Sequence, residues 1–263
     1  MEVIKIKKLI FTFLLIFSLF ISMPLSSFSA SRQTHSWYCM RKGNEQPILE
    51  PQMSFIEKYD GFYLDKRADE KNKVIYLTFD AGYENGNVAK ILDTLEKHNA
   101  PGAFFILENL IKRDTELVKR MAKEGHLVCN HTASHKDMTT LCDRDSFAKE
   151  LNDLEAVYKE YTGNEMAKFY RPPEGKFSEE NMKFADELGY DTVFWSLAYA
   201  DWDNQRQPDP ENAKELILKN THNGIVLLLH PTSATNAEIL EGLLCEWEKQ
   251  GYRFGDLNEL CKR

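Results

Sequence analysis

From Lys73 onward the chain alternates short β-rich apolar runs with longer stretches of helical period, and this alternation limits the possible folds more than any other feature. Residues 74–79 are a run of strand formers, and residues 87–98 follow with apolar side chains at Val88, Ile91, Leu92 and Leu95, the stripe of one helix face. The pattern recurs. Further strands are predicted near 103–106, 126–129, 169–171, 191–195, 225–229 and 252–254, with helices near 114–124, 146–162, 178–188, 210–220 and 238–250. Gly125, Gly163, Gly189, Gly224 and Gly251 each follow a helical stretch, where a left-handed cap is favoured. Seven short apolar strands, each followed by a helical or turn segment, imply a parallel sheet buried on both faces. No turn-rich linker divides residues 73–263, so one α/β domain is expected, as an open doubly wound sheet or a closed or partly closed barrel.

Two stretches precede this region. Lys5, Lys7 and Lys8 form a positive start, residues 9–21 are nearly unbroken apolar sequence, and small residues follow at Ser26, Ser27, Ser29 and Ala30. That order is the signature of a signal peptide. The apolar run is about 13 residues, short of the roughly 20 that a spanning helix needs. A cleaved leader over residues 1–30 is the expectation, with a retained N-terminal membrane anchor as the alternative. Either places the rest of the chain outside the cytoplasmic membrane. Residues 31–70 lack a clear period and contain Pro47, Pro51 and Gly61, which reads as an irregular N-terminal extension before a domain at 71–263. Removing the leader takes away three lysines and one glutamate, so the formal charge moves from −8 to about −10. An acidic chain of this kind is no nucleic-acid binder, because it has no excess of Lys or Arg to neutralise phosphates. Its membrane contact would run only through the N-terminal segment. The five cysteines, Cys39, Cys129, Cys142, Cys245 and Cys261, show no close spacing, so neither a zinc ribbon nor a CxxC redox pair is present. They read chiefly as small buried apolar residues, with Cys129 a minor candidate for a metal ligand.

In βα folds the chemistry sits at the C-terminal strand ends. Here those ends carry Asp80, then His131 and His135, then Arg171, then Asp201 and Trp202, then His230. Any one alone is weak, since a strand-end Asp is often a cap and a lone His often a satisfied boundary residue. Acid, base or ligand types at five of seven strand ends favour an enzyme. His131 and His135 have i, i+4 spacing, which on a helical turn would put both imidazoles on one face, able to share a divalent ion. No GxxxxGK[ST] loop, post-strand GxGxxG or GxSxG elbow is present, which leaves nucleotide-dependent chemistry and serine hydrolysis unsupported. Metal-assisted hydrolysis remains.

Thr78-Phe-Asp80-Ala-Gly82, His131-Thr-Ala-Ser-His135, Arg171-Pro-Pro-Glu-Gly175, Asp201-Trp202 and Leu227-Leu-Leu-His230 occur in an order and at spacings that resemble the polysaccharide deacetylase (NodB-homology) family, over roughly residues 70–260. The fuller stretches TFDAGYENG, RPPEGKFSEEN, FWSLAYADW and LLLHPTS look most like its peptidoglycan N-acetylmuramic acid deacetylase branch, which prepares muramic δ-lactam in the spore cortex of endospore-forming bacteria. The resemblance implies a distorted seven-stranded (β/α) barrel, a divalent metal cofactor and a peptidoglycan glycan strand as partner. It implies removal of an acetyl group from an N-acetylated sugar, with N-acetylglucosamine or chitin oligomers as the runner-up substrate. By the family pattern, Asp80 is the base, Arg171 its charge partner, His230 the acid and Asp201 the group that orients it. His131 and His135 would be the metal ligands. The backbone N–H of Glu174 would stabilise the oxyanion, and Trp202 and Leu228 would wall the acetyl methyl. His98, His126 and His222 match no motif and read as structural or surface residues.

One position departs from the pattern. The family usually has a second Asp beside the base as a metal ligand, and this chain has Ala81. A methyl group cannot coordinate, so a weak site is expected. The alternatives are an enzyme without tightly held metal and a cell-wall glycan-binding protein that has lost catalysis. Retention of Asp80, Arg171, Asp201 and His230 argues for the enzyme.

Overall fold

The computed structural model describes residues 30–261. All of the expected leader except Ala30 therefore lies outside the described residues. Among the described residues, no helix is long and apolar enough to cross a membrane. The described residues begin with β1 (His35–Ser36), α1 (Phe55–Lys58) and β2 (Gly61–Phe62). The alternation then runs β3 (Val74–Ala81), α2 (Val88–Lys97), β4 (Gly102–Ile106), α3 (Glu108–Arg113), α4 (Thr115–Lys123) and β5 (Leu127–Asn130). It continues through α5 (Arg144–Thr162), β6 (Ala167–Tyr170), β7 (Lys176–Phe177), α6 (Glu179–Glu187) and β8 (Asp191–Val193). It ends with α7 (Pro210–Lys219), β9 (Ile225–Leu229), α8 (Ala234–Lys249), β10 (Arg253–Phe254) and α9 (Leu257–Leu260).

All seven expected strands form, and they pair in parallel in the order β10-β3-β4-β5-β6-β8, with β9 also on β3. The sheet curls until its two ends meet. Beyond β8, Ser196 N–H donates to the Val226 carbonyl at 2.9 Å and Leu228 N–H donates to the Leu197 carbonyl at 3.0 Å, joining the far edge to β9. The result is the distorted (β/α) barrel that the motifs implied. Residues 31–70 are more ordered than expected. β2 extends the sheet by pairing with β8, and β1 pairs antiparallel with β7. The reason lies in apolar content: Trp37, Ile56, Tyr63 and Leu64 bury against Phe177, Met182 and Phe194.

Strand parity divides the core. Ile75, Leu77, Phe79, Leu227 and Leu229 face outward into a layer with Ile91, Leu92 and Leu95 of α2 and Leu240, Leu243 and Leu244 of α8. Val74, Tyr76, Ala103, Phe105, Cys129, Phe169, Val193 and Val226 face inward and pack together, with Leu257 and Leu260 of α9 among them. Alternate residues of a strand point to opposite faces, so the inward set continues two residues at a time toward the C-terminal ends. From Tyr76 it reaches Thr78 and Asp80, from Cys129 it reaches His131, from Phe169 Arg171, and from Val226 Leu228 and His230. Period two thus delivers the chemical side chains to one mouth of the barrel.

Caps set the helix starts. Asp143, Ser178, Asp209 and Ser233 each accept a backbone N–H from the third residue on, the ordinary N-cap bond. α8 starts at Ala234, four residues before the expected 238, because Ser233 caps it there. Gly224 has φ +77° and sits where an added Cβ would lie 2.2 Å from the Asp65 carbonyl oxygen. Only glycine lets the extension cross that end of the barrel.

Candidate active site

Asp80 is the one residue of β3 that is not fully buried. Its Oδ1 lies 2.7 Å from Arg171 Nη1. The guanidinium is wholly buried and held on every side: Nε donates to the Val193 carbonyl at 2.9 Å, and Nη2 to Thr78 Oγ1 at 2.9 Å and to the Phe194 carbonyl at 3.3 Å. Its plane lies over the Phe105 ring, 4.1 Å from the centroid. A cation so fully bonded is a fixed charge. Burial by itself would raise the Asp80 pKa, but the Arg171 guanidinium outweighs it and holds the carboxyl below the ordinary carboxylate value. Asp80 is therefore ionised at neutral pH.

Across the mouth, His230 Nδ1 lies 2.7 Å from Asp201 Oδ1, and His230 N–H donates to Asp201 Oδ2 at 2.8 Å. The carboxylate takes the Nδ1 hydrogen, which leaves Nε2 directed elsewhere. Burial would lower the His230 pKa, yet the hydrogen bond and charge of Asp201 raise it above the ordinary imidazole value. Asn236 secures the pair by donating from Nδ2 to Asp201 Oδ2 at 2.6 Å and to the His230 carbonyl at 3.0 Å, and the Tyr199 hydroxyl in turn bonds Asn236 Oδ1.

The two other imidazoles lie together, their centroids 5.0 Å apart and edge to face. The expected helical turn is absent. Residues 131–135 form an irregular loop in which Thr132 and His135 have φ of 74° and 55°. Side-chain bonds replace the helical ladder there: Thr132 N–H donates to Asn130 Oδ1, and His135 N–H donates to Thr132 Oγ1, both at 2.9 Å. His131 Nδ1 is 2.9 Å from the Arg171 carbonyl oxygen, which can only accept, so Nδ1 carries the hydrogen and Nε2 the lone pair. Burial pushes the His131 pKa down to about 4, keeping the ring in the neutral form that binds metals. Its Nε2 is 3.6 Å from Asp80 Oδ2.

The donor chemistry thus suits a divalent ion held through two nitrogens. Among the described residues, no carboxylate, imidazole or thiol joins these two rings in a three-donor cluster. Ala81 is 1% exposed, lines the cleft and packs in the apolar layer facing α2, so it brings a methyl group where the family pattern has a carboxylate. Cys129 points into the apolar barrel interior, where burial raises its thiol pKa, and it is no part of this cleft.

These groups line one cleft of about 890 Å³ together with Glu174, Trp202 and Leu228. Glu174 has φ 56°, a left-handed conformation uncommon outside glycine. Gly175 beside it has φ +65°, and an added Cβ would lie 2.8 Å from the Trp195 ring. Trp202 is 62% exposed at the rim, its ring 6.2 Å from that of His230. Leu228 lies in the floor.

Several contributors escaped the sequence reading. Thr78, Asn236 and Tyr199 brace the catalytic candidates, and Tyr83, Asn109, Trp195 and Thr232 also line the cleft. Thr78 and Tyr83 stood inside stretches already singled out, whereas Asn236 lies inside a helix with no spacing to mark it. Trp37 of the extension donates from Nε1 to the Trp195 carbonyl and from its backbone N–H to the Gly175 carbonyl, both at 2.8 Å. Arg41 donates to the Ala198 carbonyl at 2.8 Å. The extension therefore fastens one wall of the cleft from behind. His98, His126 and His222 lie away from it, as expected.

Comparison with known proteins agrees with this arrangement. The sequence profile described as polysaccharide deacetylase matches residues 67–193. Peptidoglycan-N-acetylmuramic acid deacetylase PdaA of Bacillus subtilis is 42% identical over 228 residues, which is 86% of this chain and 85% of that protein. The solved structure of Bacillus subtilis PdaA, described as a family 4 carbohydrate esterase, matches with a TM-score of 0.82 at 39% identity, covering 88% of this chain and 97% of that one. A family 4 carbohydrate esterase from Bacillus anthracis matches with a TM-score of 0.72 at 36% identity, covering 89% and 99%. With the barrel, the five strand-end motifs and a relative this similar over most of both lengths, the chain belongs to the polysaccharide deacetylase family.

Proposed function

We propose that this protein is a hydrolase that removes the N-acetyl group from N-acetylmuramic acid residues of peptidoglycan, outside the cytoplasmic membrane, as a step toward muramic δ-lactam in spore cortex. The observation that carries the reading is the opposed pair in one cleft. An ionised carboxylate, Asp80 on Arg171, shares the mouth with an imidazole of raised pKa, His230 on Asp201. Amide hydrolysis needs both, because water is a weak nucleophile and an amine a poor leaving group.

In this reading Asp80 takes a proton from water as its oxygen adds to the acetyl carbonyl carbon. The Glu174 N–H, presented by the left-handed backbone, faces the developing oxyanion. His230 then gives its Nε2 proton to the nitrogen as the C–N bond breaks, releasing acetate and the free amine. Trp202 and Leu228 flank the methyl group. A divalent ion, held by His131 and His135, would polarise the carbonyl and the water. With Ala81 in place of a third ligand, its affinity is expected to be low.

Ala81 also favours a second reading, a glycan-binding protein without turnover. Incubation of the purified protein with peptidoglycan strands lacking stem peptides, with and without added divalent ion, separates the two. Acetate release is the expected outcome, and none under any condition leaves only the binding reading.

A further inference from the structure

The geometry points to a second metal site, outside the cleft, formed by His98, Cys245 and Glu248 and suited to zinc or a similar borderline-soft divalent cation. His98 follows α2 directly, and Cys245 and Glu248 stand one turn apart on α8. One donor atom from each lies within 4.8 Å of the others, a spacing that small side-chain adjustments convert into a shared ion. This is the only such three-donor group among the described residues. The His98 side chain is 8% exposed, and its Nδ1 lies 2.9 Å from Glu248 Oε1. Its Nε2 is buried with no partner, so the bond to Glu248 leaves the ring incompletely satisfied. Cys245 is a free, half-buried thiol, and the Glu248 side chain is 43% exposed, which leaves the group an approach from solvent.

Nitrogen, sulfur and oxygen donors together select zinc-like ions over magnesium or calcium, which prefer oxygen throughout. The place in the fold gives such an ion a structural use. α2 follows β3 and α8 follows β9, and these two strands pair, so the ion would clip the first and sixth strand-helix units together. The ion pair of Lys97 with Glu241 already bridges the same two helices. The inference does not rest on the deacetylase reading, because the cleft contributes no cysteine.

Cobalt(II) titration of the purified, reduced protein tests it, since a thiolate-to-cobalt charge-transfer band in the near ultraviolet arises only from a sulfur-ligated ion. The band should appear, saturate at one equivalent, disappear in Cys245→Ser and weaken in His98→Gln. It should persist in the His131→Ala, His135→Ala double variant. No band in the unaltered protein, or a band that survives Cys245→Ser, would overturn the site. Zinc should also raise the thermal midpoint of the double variant but not of the same variant carrying Cys245→Ser, and an equal rise in both would count against it.

Discussion

Asp80 and Arg171 form a charge pair in which only one partner retains any access to the cleft, and that asymmetry defines what each can do. The guanidinium is fixed by four acceptors and cannot turn toward a ligand, so its effect on the reaction runs through Asp80. Asp80→Asn keeps the shape and removes the basicity. Acetate release should fall by roughly 10²- to 10⁴-fold, the usual scale for a general base. The buried guanidinium would lose its counter-charge, at a cost approaching about 3 kcal/mol. Circular dichroism should still show a folded protein, and retained turnover would remove Asp80 from its role. Turnover also needs Asp80 ionised and His230 protonated. The acid limb of the pH profile should therefore lie below the ordinary carboxylate value and the alkaline limb above the ordinary imidazole value. Asp201→Asn deletes the negative partner that raises the His230 pKa, so the alkaline limb should move to lower pH. A limb that stays in place would mean that another group is the acid.

At the scale of elements, the strands were legible and the loops were not. Apolar runs are local properties, so seven strands, with Asp80, His131, Arg171 and His230 at their C-terminal ends, follow from the sequence, whereas the inward phase of these four shows only once the sheet has curled. The loop at 131–135 does not follow, because its conformation depends on Asn130, whose Nδ2 is fixed by the Leu151 carbonyl on α5 and the Tyr190 hydroxyl. A helical reading of the i, i+4 spacing could not anticipate partners so far along the chain. The extension hid for a similar reason. Trp37 has no periodic neighbours, and its value comes from stacking on Phe194, with centroids 4.5 Å apart, and from two carbonyls that line or adjoin the cleft. Trp37→Ala should cost about 3–5 kcal/mol, as for other buried tryptophans. Because it frees the Gly175 and Trp195 wall, it should lower kcat/KM as well as the denaturation midpoint. Unchanged kinetics in a folded variant would show that the wall stands without it.

For the whole molecule, the extension and the barrel close as one unit. Asp65, 3% exposed, accepts from the Tyr76 hydroxyl of the barrel interior at 2.7 Å and from Arg67 Nε at 2.8 Å, while its backbone N–H donates to the Gly224 carbonyl at 2.8 Å. Gly224→Ala would drive a methyl group into the Asp65 carbonyl at a left-handed position. A loss of about 2 kcal/mol, or a thermal midpoint lower by roughly 4–8 °C, is expected. A midpoint that does not move would show that the extension can shift without loss.

The identity of the sugar is the central point. Peptidoglycan strands lacking stem peptides, treated with the protein, cut into disaccharides and weighed by mass spectrometry with fragmentation, report which residue has lost its acetyl group. Loss from muramic acid with N-acetylglucosamine intact is the expected result. Loss from glucosamine instead, or from neither sugar, would contradict it.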